Sequence, residues 1–234
     1  MTPRLAIFSY HKIGEPTAGG YPTWNYVPED TFVDHLSYLR DHGWNVVDVA
    51  TALAGLERPD SLPERAALLT FDDGYRTMLT VAAPILRRFE YPAVVFVPTD
   101  YIGGRNLWDE WIEPDEPICS WEELRELEQL DVSVQAHSVT HRAFSDLGAD
   151  EIRDEISRSK RTLEEAMDRS MEIFAYPYGD FGTDREVVDA ALRDAGFRAA
   201  CRYGGSVSVP GADDHFRLPR LAMGPDSNLE EILG

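Results

Sequence analysis

Short apolar runs alternate along the chain with longer stretches in which apolar residues recur every three or four positions. The runs at 5–10, 44–49, 66–71, 93–97, 132–136, 173–176 and 198–201 are rich in Val, Ile, Leu, Ala and Phe, and several are apolar throughout. Strands covered on both faces have this pattern, because neither set of alternating side chains meets water. Helical stretches lie between them. Pro28 opens one in which Phe32, Leu36 and Leu39 share a face, and Gly43 closes it. A second runs from about Thr77 to Phe89. Ser120 and Glu123 stand at capping-box spacing before a third. Between Ala149 and Asp168, the residues Ile152, Ile156, Leu163 and Met167 form one stripe, and Thr183 caps a last helix that ends at Gly196.

This alternation predicts an α/β chain built on a parallel sheet. Seven strands with intervening helices suit a closed or nearly closed barrel; a doubly wound open sheet is the alternative. No internal repeat, low-complexity run or linker interrupts the chain, so residues 1–234 read as a single domain. Segment 101–117, rich in acids and aromatics, reads as a long loop between a strand and a helix, a kind of loop that is often functional.

Composition narrows the partners. The net charge is −20, which excludes the basic surface that nucleic acid or an anionic membrane would need. No stretch approaches the roughly 20 apolar residues of a transmembrane helix. The N-terminal residues carry no signal-peptide pattern, so the expected location is cytoplasmic. Lys12 and Lys160 are the only lysines, and an acidic, lysine-poor surface suits a salt-rich cytoplasm. Cys119 and Cys201 are too few for a disulfide framework and read as buried apolar residues. Nothing in the sequence fixes the oligomeric state.

Three clusters follow strand-like runs, the edge on which parallel α/β folds build their sites. The first is Thr70-Phe71-Asp72-Asp73-Gly74. Adjacent side chains on a strand point to opposite faces, so both aspartates serve one site only if the strand ends there, and Gly74 permits that turn. The second, His137-Ser138-Val139-Thr140-His141, spaces two histidines to share a metal from one face of a helical turn. The third, Tyr176-Pro177-Tyr178-Gly179, can present a backbone N–H to a developing oxyanion. An aspartate with two histidines makes a metal face with open positions for water and substrate. Metalloprotease, nucleotide-binding and serine-hydrolase signatures are all missing.

Taken together, Thr-Phe-Asp-Asp-Gly, His-Ser-x-x-His and the Tyr-Pro-Tyr-Gly turn resemble the polysaccharide deacetylase family, the NodB-homology group or carbohydrate esterase family 4. The likeness runs from about Leu5 to Leu221. It implies a distorted (β/α)7 barrel, NodB-like and related to the TIM barrel, and metal-dependent removal of N-acetyl groups from an amino sugar or glycan. It implies Asp72 as catalytic base and Asp73, His137 and His141 as metal ligands. Tyr178 would give its N–H to the oxyanion, and the cofactor would be zinc or a similar divalent ion.

Two departures mark the chain. Many members carry an arginine that pairs with the base at the position of Ala175 here, and a Leu-x-His motif near the C-terminus that is absent here. The opening Tyr10-His11-Lys12-Ile13 and the late Leu218-Pro219-Arg220 resemble the branch of poly-N-acetylglucosamine deacetylases. That likeness makes His11 the general acid and Arg220 the partner of Asp72. Trp108, Trp111 and Trp121 are candidates for a sugar-stacking wall, while His35, His42 and His215 read as surface residues. The rival readings are an amidohydrolase of the same fold acting on a small amide such as a cyclic ureide, and a non-catalytic glycan-binding domain.

Overall fold

The computed structural model describes residues 3–234. In chain order its strands are β1 (Arg4–Tyr10), β2 (Lys12–Ile13), β3 (Tyr26–Val27), β4 (Asn45–Val46), β5 (Arg65–Phe71), β6 (Ala93–Val97), β7 (Val132–Ala136), β8 (Ile173–Ala175), β9 (Ala199–Cys201) and β10 (Leu221–Ala222). The helices are α1 (Glu29–Asp41), α2 (Val49–Glu57), α3 (Ala83–Phe89), α4 (Trp121–Glu128), α5 (Ala149–Met167), α6 (Arg185–Ala195) and α7 (Leu229–Leu233).

The main sheet is parallel and runs β10-β1-β5-β6-β7-β8-β9, with β4 beside the first half of β5. Its two ends meet on segment 218–222. Leu218 bridges Cys201 of β9, and Leu221 and Ala222 pair with Phe8 and Ser9 of β1. Bonds from Arg202 N–H to the Leu218 carbonyl (3.0 Å) and from Met223 N–H to the Ser9 carbonyl (3.0 Å) stitch this seam. The sheet therefore curls into the expected barrel, closed by a single short stretch, rather than lying open.

Strand parity separates two buried layers. Leu5 and Ile7 of β1, Leu68 of β5, Phe96 of β6 and Ala175 of β8 fill the interior of the barrel. Their neighbours Phe8, Leu69, Val95 and Phe174 meet the apolar faces of the outer helices. Each such Leu, Ile, Val or Phe side chain, fully buried, contributes about 1.5–3 kcal/mol. Continuing the interior parity past the apolar residues reaches Ser9 and His11 from β1, Thr70 and Asp72 from β5, and His137 just after β7. The C-terminal ends of the strands thus set a polar layer on an apolar plug.

Several boundaries differ from the sequence reading. The run 44–49 is not one strand: Asp48 accepts the Thr51 N–H at 2.8 Å and starts α2. The stretch 77–89 opens with a widened turn, Met78–Ala82, before α3. Pro84 lacks the N–H that would reach back one turn, which loosens the helix there. Asp184, not Thr183, caps α6, accepting the Val187 N–H at 3.1 Å. The capping box of Ser120 and Glu123 is present as expected, and both cysteines are free and buried.

Candidate active site

The first cluster turns where β5 ends. Asp72 N–H still continues the ladder, donating to the Tyr10 carbonyl at 2.9 Å. Asp73 then adopts a left-handed conformation (φ 72°), followed by Gly74 (φ 70°). A Cβ on Gly74 would lie 2.9 Å from a Val97 methyl, so the close approach and the positive φ both require glycine. Two successive left-handed residues bring both carboxylates to one site, which a continuing strand would forbid.

The two aspartates meet different partners. Both oxygens of Asp72 accept from Arg220, Nη1 to Oδ1 and Nη2 to Oδ2, each at 2.7 Å. Ser9 Oγ donates to Asp72 Oδ2 at 3.3 Å. Arg220 is fully buried and also donates to Thr70 Oγ1 and the Arg202 carbonyl. Burial pushes the Asp72 carboxyl up, but Arg220 and His137 pull it further down, so it stays ionised.

Asp73 faces the histidines: its Oδ1 lies 3.4 Å from His137 Nε2 and 3.1 Å from His141 Nε2. Burial raises its pKa, yet His141 and His137 outweigh burial and hold it well below the usual carboxylate range. The three donor atoms lie within 4.8 Å of one another, and all three residues are buried. The Ala175 carbonyl, 2.7 Å from His137 Nδ1, can only accept, so that nitrogen carries the proton and Nε2 keeps its lone pair. Asp73 Oδ1 has no donor in hydrogen-bonding geometry. Two imidazole nitrogens and a carboxylate oxygen converging in this way fit a divalent cation.

The histidine pair is not on a helical turn, as its spacing suggested. It sits on a loop shaped by left-handed Ser138 (φ 65°) and His141 (φ 56°). Glu155 of α5 braces that loop: its Oε2 accepts the N–H groups of Val139 (2.7 Å) and Thr140 (2.9 Å). Sequence reading missed Glu155, although a carboxylate beside the apolar positions Ile152 and Ile156 was the available signal.

His11, Asp72, Asp73, His137, His141 and Tyr178 line one cavity of about 390 Å³, together with Trp24, Asn25, Asp109, Ile112, Glu113, Gly179 and Tyr203. That volume is within the range of small-ligand sites. His11 Nδ1 is buried without a protein partner. Burial lowers the pKa of this imidazole, against the pull of Asp73 and Asp72. Tyr178 has φ 57° and is 54% exposed at the rim; its ring meets the His141 ring edge-on at 4.7 Å. A Cβ on Gly179 would fall 2.4 Å from Tyr203 N, which pins the turn.

The tryptophans divide. Trp108 packs on His141, ring centroids 4.6 Å apart. Trp121 is half-buried against the main core at the start of α4, and Trp111 is 89% exposed. Trp24, which the sequence reading passed over, lines the cavity instead. His35 is not a surface residue: it is buried, with Nδ1 3.1 Å from the Tyr10 hydroxyl and Nε2 2.8 Å from the Ser227 carbonyl. His42 is exposed and His215 half-exposed, both outside the cavity.

Residues 60–200 match the family model described as polysaccharide deacetylase. The chain belongs to the polysaccharide deacetylase family. A Staphylococcus aureus poly-β-1,6-N-acetyl-D-glucosamine N-deacetylase is 24% identical over 211 residues, covering 86% of this chain and 69% of that one. Among solved structures, IcaB from Ammonifex degensii superposes with a TM-score of 0.80 at 26% identity, covering 96% of this chain and 94% of that one. The Streptococcus pyogenes deacetylase PplD has the same fold, with a TM-score of 0.83 at 21% identity over 100% of this chain and 98% of that one. Membership in this family places the chain among hydrolases that remove acetyl groups from polysaccharides.

Proposed function

We propose that the chain deacetylates N-acetylglucosamine units of a glycan, with Asp73, His137 and His141 holding a divalent ion, most simply zinc, and Asp72 acting as base. The observation that carries this reading is the convergence of those three donor atoms beside an aspartate held by Arg220. A bound ion supplies Lewis-acid chemistry, acidifying water and polarising the acetamide carbonyl.

The chain's own residues do the rest. Asp72, kept ionised and oriented by the Arg220 fork, takes the proton from the attacking water. The water oxygen adds to the acetamide carbon, and the Tyr178 N–H donates to the oxygen that gains charge. His11 delivers a proton to the nitrogen as the C–N bond breaks, giving acetate and a free amine. The rim supports a glycan over a small enclosed amide: Trp24 is 50% exposed and Ile112 72% exposed, so the cavity opens to solvent.

The test measures acetate release from N-acetylglucosamine oligomers alongside elemental analysis. Asp72→Asn should keep the ion and lose about 10²–10⁴-fold in turnover. Asp73→Asn should lose the ion. Undiminished acetate release after stripping with a strong chelator would overturn the reading.

A further inference from the structure

We propose that Asp109 is a positioning residue for the deacetylation: it holds the Tyr178 side chain so that the Tyr178 N–H stays aligned for the oxyanion. The inference rests on the functional reading above and adds a residue from a different loop.

Tyr178 needs holding. A bulky residue at φ 57° and ψ 8° lies in a region that L residues avoid, and it sits at an exposed rim. Gly179, wedged against Tyr203, fixes the turn from one side. On the other side, the Tyr178 hydroxyl donates to Asp109 Oδ1 at 3.2 Å. Among the described residues the Tyr178 N–H has no protein acceptor, so nothing in the chain competes with a ligand for it.

Asp109 is itself firmly placed. Its carbonyl accepts the N–H groups of Ile112 and Glu113, both at 2.9 Å. Asn106, one turn earlier, donates to the Pro114 carbonyl at 3.0 Å and accepts the Glu116 N–H at 2.7 Å. Glu113 is anchored by buried Lys12 at 2.6 Å. The loop that carries Asp109 is therefore fixed to the barrel, whereas the rim turn that carries Tyr178 is exposed.

The carboxylate has no other evident task. Asp72 is taken by Arg220, Asp73 by the histidines and Glu113 by Lys12. Among the described residues Asp109 has no lysine or arginine partner, and its hydrogen-bonding partner is the Tyr178 hydroxyl. The phenol is held above its ordinary pKa by burial and by Asp109, so it remains a donor at neutral pH.

The experiment compares wild type, Asp109→Ala, Asp109→Asn, Tyr178→Phe and the double variant Asp109→Ala/Tyr178→Phe, with metal content and melting temperature recorded for each. Both single deletions should lower kcat by about ten- to a hundredfold, short of or up to the loss of a whole oxyanion donor. KM should stay within about twofold, and metal content should not change. The double variant should be no worse than either single one, because both remove the same bond. Asp109→Asn, whose amide oxygen can accept that bond, should recover most of the turnover. Wild-type kcat in Tyr178→Phe, an effect confined to KM, or an Asp109→Asn as impaired as Asp109→Ala would overturn the positioning role alone. No acetate release by wild type would overturn the functional reading and this role together.

Discussion

The Arg220 guanidinium grips Asp72 through two parallel bonds of 2.7 Å across 148 residues of sequence, and both partners are buried. Removing one member of such a pair leaves a bare charge inside the barrel. Arg220→Ala should therefore cost about 3–5 kcal/mol of stability, visible in a denaturant melt. Arg220→Lys should cost less but lose the fork. As the proposed base, Asp72 must be ionised to act, and Arg220 lowers its pKa. In Arg220→Lys the acid limb of the rate profile should move to higher pH. A limb that stays where wild type has it would show that Arg220 does not set the charge of Asp72.

His11 stands at the cavity with Nδ1 unpartnered. As the proposed acid it must be protonated to act, so turnover should fall as pH rises through its pKa. Burial puts that pKa below the ordinary imidazole value of about 6.5. His11→Ala should lower kcat while keeping the ion, and the descending limb should vanish from the pH–rate profile. An unchanged limb in His11→Ala would assign the proton to another group.

His35 gives a second pH dependence, separate from the chemistry. The Ser227 carbonyl can only accept, so His35 Nε2 carries the proton and Nδ1 accepts from Tyr10. Burial lowers the pKa of this neutral ring. As pH falls below about 6.5 the unfolded chain takes up a proton that the folded chain resists, so stability present above that value is lost on the acid side. His35→Gln lacks this titration. Its melting temperature should lie below wild type at pH 7.5, with the gap narrowing by pH 5; a gap independent of pH would contradict the assignment.

A strand that is apolar throughout was legible because burial on both faces leaves no polar position to blur it, and β6 matches its run residue for residue; β7 does so as well, on its alternation of Val132, Val134 and Ala136 with Ser133 and Gln135. Segment 44–49 was not legible, because Val46, Val47 and Val49 suit either state and a single cap at Asp48 decides between them. The proposed metal triad and the Arg220–Asp72 pairing could be reached through the family likeness that the motifs carry, and the structure brings those residues together. The loop geometry of His137 and His141 could not, since spacing of four does not distinguish a helical turn from two left-handed residues. Asp109 and Glu155 escaped for another reason: each acts on a neighbour far away in sequence, and local pattern holds no trace of that neighbour.

The stretch that closes the barrel is also the stretch that carries Arg220. A growing chain that has completed β1 to β9 already possesses the aspartates, the histidines and Tyr178, yet it is an open trough in which Asp72 lacks its counter-charge. Under the proposed mechanism, competence would arrive only with the last few residues of the cylinder. Fraying of that stretch would part Arg220 from Asp72 as it opened the seam, so a half-finished barrel would lack an oriented base.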